Sequence, residues 1–426
     1  MFKEMAEKLK LPRMRMVEQS YEVPPSVDVR AEVDREWDLV KDTVNLPAGS
    51  KVAVGVGSRG VSNLAETVRA VVEKLKGVGY EPFITPAMGS HGGASVEGQI
   101  GVLRHRGVTE ESVGAPIRAT MEVVSMGEVD GIPLFLDRLA HEADGIVPIN
   151  RIKPHTNFIG SWESGVLKMM AIGLGNQMGA EHYHRLSLVK DLYTVIISAG
   201  RELLKRSKVL FGVGLVENQE HETVSVRMGA PDAWEPLEAE LLKWARALVP
   251  GLLLKEIDLL VIDEMGKEIS GEGIDPNVVG RDCLTYGAKR EWPKVTRIFV
   301  RDLTEATEGS AVGIGQADFT TQRLVDKIDF EATAINCLTA CAPEGAFLPI
   351  TFETDREALA VAMMTLRPCT LEDVRIVHMR NTLDPKRLLV SEGCLSFLKD
   401  RTDVKIDEED LALEFDRAGN IVSRLM

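Results

Sequence analysis

The segment from residue 51 to residue 85 limits the fold more than any other. Lys51–Val56 (KVAVGV) is a short apolar run, and Gly57, Ser58, Arg59 and Gly60 break it. Residues 62–76 then repeat apolar side chains at helical spacing, Gly77 and Gly79 stop the helix, and residues 81–85 predict a second strand. Strand, helix and strand in this order form a βαβ unit, whose strands run parallel under a crossover helix. The right-handed crossover brings both carboxyl ends to one edge of the sheet, where such folds bind ligands.

The same alternation continues. Residues 29–43 predict a charged helix, and 144–149 and 209–216 predict strands. Residues 188–205 and 235–248 predict helices, the second ended by Pro250 and Gly251. A fresh series opens at 257–263 (IDLLVID), with a strand at 296–302 and helices at 320–328 and 356–366. A chain of 426 residues is too long for one average domain. The expected architecture is therefore α/β in two domains, each a mainly parallel sheet with flanking helices. The expected boundaries are 1–255 for the first domain and 256–400 for the second, with the acidic tail 401–426 packing back on the first.

Composition excludes several classes of function. A net charge of -15 opposes nonspecific nucleic-acid binding, which needs clustered Lys and Arg. The longest apolar runs, such as IDLLVI near Leu259, fall far short of the roughly 20 residues that span a bilayer. The first residues, MFKEMAEKLKLPRMRM, lack the apolar core of a signal peptide, so the cytoplasm is the expected location. Five scattered cysteines without a CxxC pair fit ordinary reduced thiols better than a disulfide frame or a cysteine zinc site.

The chemistry-bearing residues collect in the loops that this fold sends to the sheet edge. The first loop carries Ser58 and Arg59 between Gly57 and Gly60, just before a helix N-terminus, a pattern that favours an anion such as phosphate. The second is GSHGGAS, with His91 between Gly89 and Gly92, where an imidazole is placed for acid/base work. The third begins a stretch, residues 150–185, that holds His155, His182 and His184, with Lys168 in an apolar run. A buried lysine there would be a stronger nucleophile or a covalent anchor; a snorkelling one would keep its ammonium in water. His182 and His184 would share a face on a strand and diverge on a helix. With His155 they are the set for a divalent-metal hydrolase. A non-catalytic nucleotide-cofactor carrier is the reading of another class.

The run GSHGG, PHTNF, GSWESGVLK, IG and HYH resembles the nickel-dependent lactate racemase family, whose members carry a nickel-pincer nucleotide. The resemblance implies a racemase or epimerase of a 2-hydroxy acid, with His91 and His155 as the two acid/base residues. It implies that Lys168 holds the cofactor covalently and that His184, sixteen positions further on, ligates nickel. Arg59 falls where the family has an arginine near substrate and cofactor, and the amides of Gly57, Ser58 and Gly60 are implied for the nucleotide phosphate. The first domain then becomes the cofactor-binding and catalytic one. Implied partners are the small-molecule substrate and the proteins that make the cofactor, with association into a homo-oligomer left open. This chain departs from the family between His155 and Lys168, where its segment is longer and GSWESG replaces GFSGG. Ile172 precedes Gly173 where the family has Pro-Gly, and Val56 stands in place of an aspartate. The family's Gln-x-x-Lys pair has no match, which leaves Arg281 or Lys267 to supply a positive charge for the substrate.

Overall fold

The structure is a computed structural model, and it describes the whole chain apart from Arg59, Thr285, Arg424 and Met426. Two compact bodies divide the chain. One comprises Val23–Val249 with Thr339–Cys341; the other comprises Met1–Glu22, Pro250–Leu338 and Ala342–Met426.

The first body is built on a five-stranded sheet. Its strands lie in the order Glu81–Pro86, Lys51–Val56, Gly145–Arg151, Gly212–Glu217 and Thr223–Gly229. The first three junctions are parallel and the last is antiparallel. Alternation along the strands sends side chains to two cores. Val52, Val54 and Val56 pack with Val68, Val71 and Leu75 of the helix Leu64–Gly77 and with Val33 and Trp37 of the helix Val29–Val40. Ala53, Phe83 and Ile146 pack on the other face, with Val195 and Leu203 of the helix Leu192–Arg206 and Trp234 and Leu241 of the helix Trp234–Ala247. Burial on both faces is why these strands read as unbroken apolar runs. A separate hairpin, Val123–Val129 with Ile132–Asp137, adds to the second of these cores.

The second body holds an eight-stranded sheet. From one edge its strands are Ile350–Phe352, Phe319–Thr321, Lys294–Leu303, Glu256–Met265, Ile376–Met379, Arg387–Ser391, Met14–Gln19 and Val404–Ile406. The first five are mutually parallel, and the last three join antiparallel. The protein is therefore α/β with two mainly parallel sheets flanked by helices.

Two boundaries differ from the sequence reading. Residues 1–22 group with the second body, because Met14–Gln19 pairs with Arg387–Ser391 on one side and Val404–Ile406 on the other. The tail also packs on the second body. Leu411 bridges Met14, the Ile421 carbonyl accepts from Arg301 at 2.6 Å, and Ser423 donates to Asp263. The cause is a buried charge cluster of Arg301, Asp263, Asp355 and His378, which the tail helps to satisfy. Residues 320–328, expected as one helix, are split: Phe319–Thr321 pairs as a strand and only Gln322–Val325 is helical.

Candidate active site at the carboxyl edge of the first sheet

Lys51–Val56 lies between Glu81–Pro86 and Gly145–Arg151, parallel to both. The loops that follow these three strands thus leave from one edge. The outer two strands stand two strand spacings apart, or about 10 Å, enough for a small molecule between their loops.

The first loop is tightly fitted. A Cβ on Gly57 would stand 3.2 Å from Met169 Cε and 3.3 Å from Asn150 Oδ1, so this backbone runs close to the third strand and to the turn beyond Lys168. Ser58 Oγ shares a hydrogen bond with His91 Nδ1, which joins the first loop to the second. Arg59 lies outside the described residues. The helix itself starts at Leu64, and the Ser62 N–H donates to the Glu217 carboxylate at 2.6 Å.

His91 sits in a loop that only glycine can build. Gly89, Gly92 and Gly93 all have left-handed φ, and a Cβ on Gly92 would lie 2.5 Å from the Gly98 carbonyl carbon. Gln99, buried, donates to the Gly89 carbonyl at 2.9 Å, and the Gly89 N–H donates to Gly173 at 3.1 Å. This second contact locks the His91 loop onto the segment that carries Lys168.

The third loop is closed at its base, where Lys153 and Ser164 exchange backbone hydrogen bonds of 3.0 and 3.1 Å. Glu163 fills its inside, only 1 % exposed, and accepts from the N–H of His155 at 2.6 Å and of Gly160 at 3.0 Å. Arg246, on the helix Trp234–Ala247, pairs with the same carboxylate. Trp162 Nε1 donates to the Glu235 carbonyl of that helix at 2.8 Å. The His155 ring stacks on Phe158, with centroids 4.1 Å apart and planes 14° apart, and its Nδ1 accepts the Asn157 N–H at 3.0 Å. The stretch that departs most from the racemase pattern is thus a compact, internally bonded loop.

Lys168 ends a short helical turn, Val166–Lys168, which runs on into a wide turn over Met169–Gly173. Asn150, at the end of its strand, donates to the Gly165 carbonyl at 2.8 Å and fixes where this turn begins. The buried Glu238 carboxyl accepts the N–H groups of Val166 and Leu167 at 2.9 and 3.2 Å, and Trp234 Nε1 also donates to it. Burial pushes this carboxyl up to about 7, against the opposing pull of its donors.

His184 lies on the helix Asn176–Leu186. It sits deep in the protein yet keeps some accessible surface. Burial, and then the charge of Lys168, lower its proton affinity to about 4. The imidazole is thus neutral near pH 7, with a lone pair to offer a metal. Lys168 thus acts on His184 electrostatically, although sixteen positions separate them.

His182 turns elsewhere. Residues two apart on a helix differ by about 200° around its axis. His182 is exposed, its Nδ1 bonds the Met178 carbonyl at 2.9 Å, and its ring lies against Phe135. Among the described residues no group of three or more His, Cys, Asp or Glu is placed to hold a metal. The three-histidine hydrolase set of His155, His182 and His184 is therefore not assembled.

Arg281 and Lys267 belong to the second body. Arg281 donates to the carbonyls of Val295, Thr296 and Gln316 and pairs with Asp318 at 2.6 Å, which makes it a brace between a loop and a strand start. Lys267 donates to Asn336 at 2.5 Å.

Sequence reasoning missed Glu163, Glu238 and Asn150. Glu238 left a readable signal: with Trp234, Leu241 and Ala245 it falls on the buried stripe of an amphipathic helix, where an acidic residue is out of place.

No protein-family model matches the chain, and no curated protein matches it. Among solved structures it is similar to the lactate racemase apoprotein from Thermoanaerobacterium thermosaccharolyticum. That likeness has a TM-score of 0.44 and 13% sequence identity, and covers 86% of this chain and 88% of that chain. Among the described residues no helix is long and apolar enough to cross a membrane.

Proposed function

We propose that the protein is a racemase or epimerase of a 2-hydroxy acid, working at the carboxyl edge of the first sheet with a nickel-pincer nucleotide. What supports this reading is that the loops carrying Ser58, His91 and His155 follow three neighbouring parallel strands and so leave from one sheet edge, that Ser58 and His91 share a hydrogen bond, and that the charge of Lys168 acts on His184.

The residues fit such a group. Lys168 supplies an amine for a covalent tether, and His184 a neutral nitrogen for nickel. A side chain at Gly57 or Gly89 would crowd Met169 or Ile172, so backbone borders the region around Lys168. When bound, the cofactor supplies an electrophilic site that accepts a hydride from the substrate Cα.

The chain's own residues do the rest. Loss of a hydride from Cα requires loss of the hydroxyl proton as well, and His91 and His155 are the pair that handles it. Arg59 is assigned to the substrate carboxylate. The closed loop around Glu163 fixes the His155 backbone, and Ser58 with Gln99 fixes His91, so neither imidazole must be ordered when substrate arrives. The same reading places the enzyme in the cytoplasm beside the proteins that make its cofactor.

A panel of chiral 2-hydroxy acids, incubated with cofactor-loaded protein and followed by stereochemical analysis, tests the proposal. Loss of optical purity in one substrate supports it. Retained cofactor without any exchange of the Cα hydrogen would make the protein a carrier instead.

A further inference from the structure

The turn that carries Lys168 rests on a single carboxyl oxygen. Glu238 Oε2 accepts the N–H groups of Val166 and Leu167 at 2.9 and 3.2 Å, and Trp234 Nε1 donates to it as well. Oε1 is buried and, among the described residues, meets no hydrogen-bond partner. A Cβ on Gly165 would overlap Oε1, so the backbone leading into the turn lies directly against this carboxyl. With three N–H donors on Oε2, a protonated Glu238 carries its proton on Oε1 and offers Oε2 as a neutral carbonyl oxygen. An ionised one offers the same donors a charged oxygen, whose hydrogen bonds are about twice as strong. Glu235, three residues earlier on the same helix, adds a negative charge and is paired with Arg201 at 2.7 Å. Glu163 of the third loop is paired with Arg246, and Lys168 is the cation of the turn itself.

Resting on the racemase reading, we propose that Glu238 is the positioning residue for Lys168: its carboxylate holds the turn tightly, and its protonated form releases part of that hold. Lys168 follows Leu167 directly, so the N–H groups bound at Oε2 set where the backbone delivers the amine. Ionisation falls near neutrality, because burial pushes this carboxyl up to about 7. The hold on Lys168 therefore tightens as pH rises through 7, while the stability that the buried proton contributes declines over the same range. The two effects have opposite sign, which separates positioning from stability.

The hold can be read without any activity. In full-length apoprotein labelled with 15N, the Val166 and Leu167 amide protons should shift downfield together as pH is raised, with a midpoint near 7. In Glu238→Gln, whose side chain is neutral at every pH, they should stay in place. Amides that do not move in the wild type, or that move equally in the variant, overturn the proposal. The loaded enzyme gives a second readout. Gln stands in for the protonated carboxyl, so the ratio of wild-type to Glu238→Gln turnover should climb from about one at about pH 5.5 to about tenfold at about pH 8.5. His91 and His155 are common to both proteins and cancel in this ratio. A ratio that stays flat with pH makes Glu238 a structural residue only and also overturns the proposal. If the wild type racemises no 2-hydroxy acid, the racemase reading falls, while the amide shifts still decide whether the carboxyl grips the turn.

Discussion

Burial, and after it the charge of Lys168, lower the proton affinity of His184, so the lysine acts electrostatically on a histidine sixteen positions further along the chain. The turn over Met169–Gly173 and the helix Asn176–Leu186 bring this about, by folding the chain back after Lys168. On the proposed function the pair divides the work: the lysine tethers and the histidine ligates. His184→Ala should then lose bound nickel while the group on Lys168 stays attached. Metal analysis and intact mass, measured on the same sample, check both halves.

Glu163 should matter to stability as well as to the site. Glu163→Ala leaves two backbone N–H groups and the Arg246 guanidinium without their shared partner. Removing a buried carboxylate from such a set costs about 3 kcal/mol, which in a body of this size lowers the melting midpoint by roughly 10 °C. Calorimetry checks the stability. A loss of turnover beyond the unfolded fraction would show that the His155 loop has also moved.

Glu238 gives stability a pH dependence of known sign. Its carboxyl takes a proton near 7 in the folded protein, against the ordinary 4.5 when unfolded. Between those values the folded state binds more protons than the unfolded one, so this contribution is complete below pH 4.5 and is lost as pH rises through 7. Wild-type protein should therefore lose more stability between pH 5 and pH 8 than Glu238→Gln. Denaturant melts at the two pH values give the difference; equal slopes would remove Glu238 from the account.

Gly173 couples the lysine segment to the His91 loop. A Cβ there would lie 2.7 Å from the Ala87 carbonyl oxygen, a backbone atom two residues before Gly89, whose N–H bonds Gly173. Gly173→Ala should cost about 1–3 kcal/mol as overpacking and displace His91. Turnover should fall further than stability alone explains, a comparison that kinetics and melting make together.

Much of the frame was legible because local signals agreed with the fold. Lys51–Val56 is a strand with the bounds that its apolar run implied, and the helices Leu192–Arg206 and Trp234–Ala247 differ from their periodic segments by a few residues at most. The loops carrying His91 and His155 were legible from their place after strands. What stayed hidden depends on long-range pairing. Met14–Gln19 is an ordinary short run until Arg387–Ser391 and Val404–Ile406 supply partners, more than 350 residues away. Glu163 reads as a surface acid in GSWESG, since nothing local shows that the loop closes around it. The direction of His182 depended on whether HYH lay on a strand or a helix, and short spacing alone does not decide that.

The central claim is that Lys168 and His184 hold a nickel-bearing nucleotide at this edge. Protein made together with the cofactor-making enzymes should be digested and its peptides mapped by mass, with nickel measured on the same preparation. The account predicts a mass increment on Lys168 and about one nickel per chain. An unmodified Lys168 in protein that racemises its substrate would contradict it.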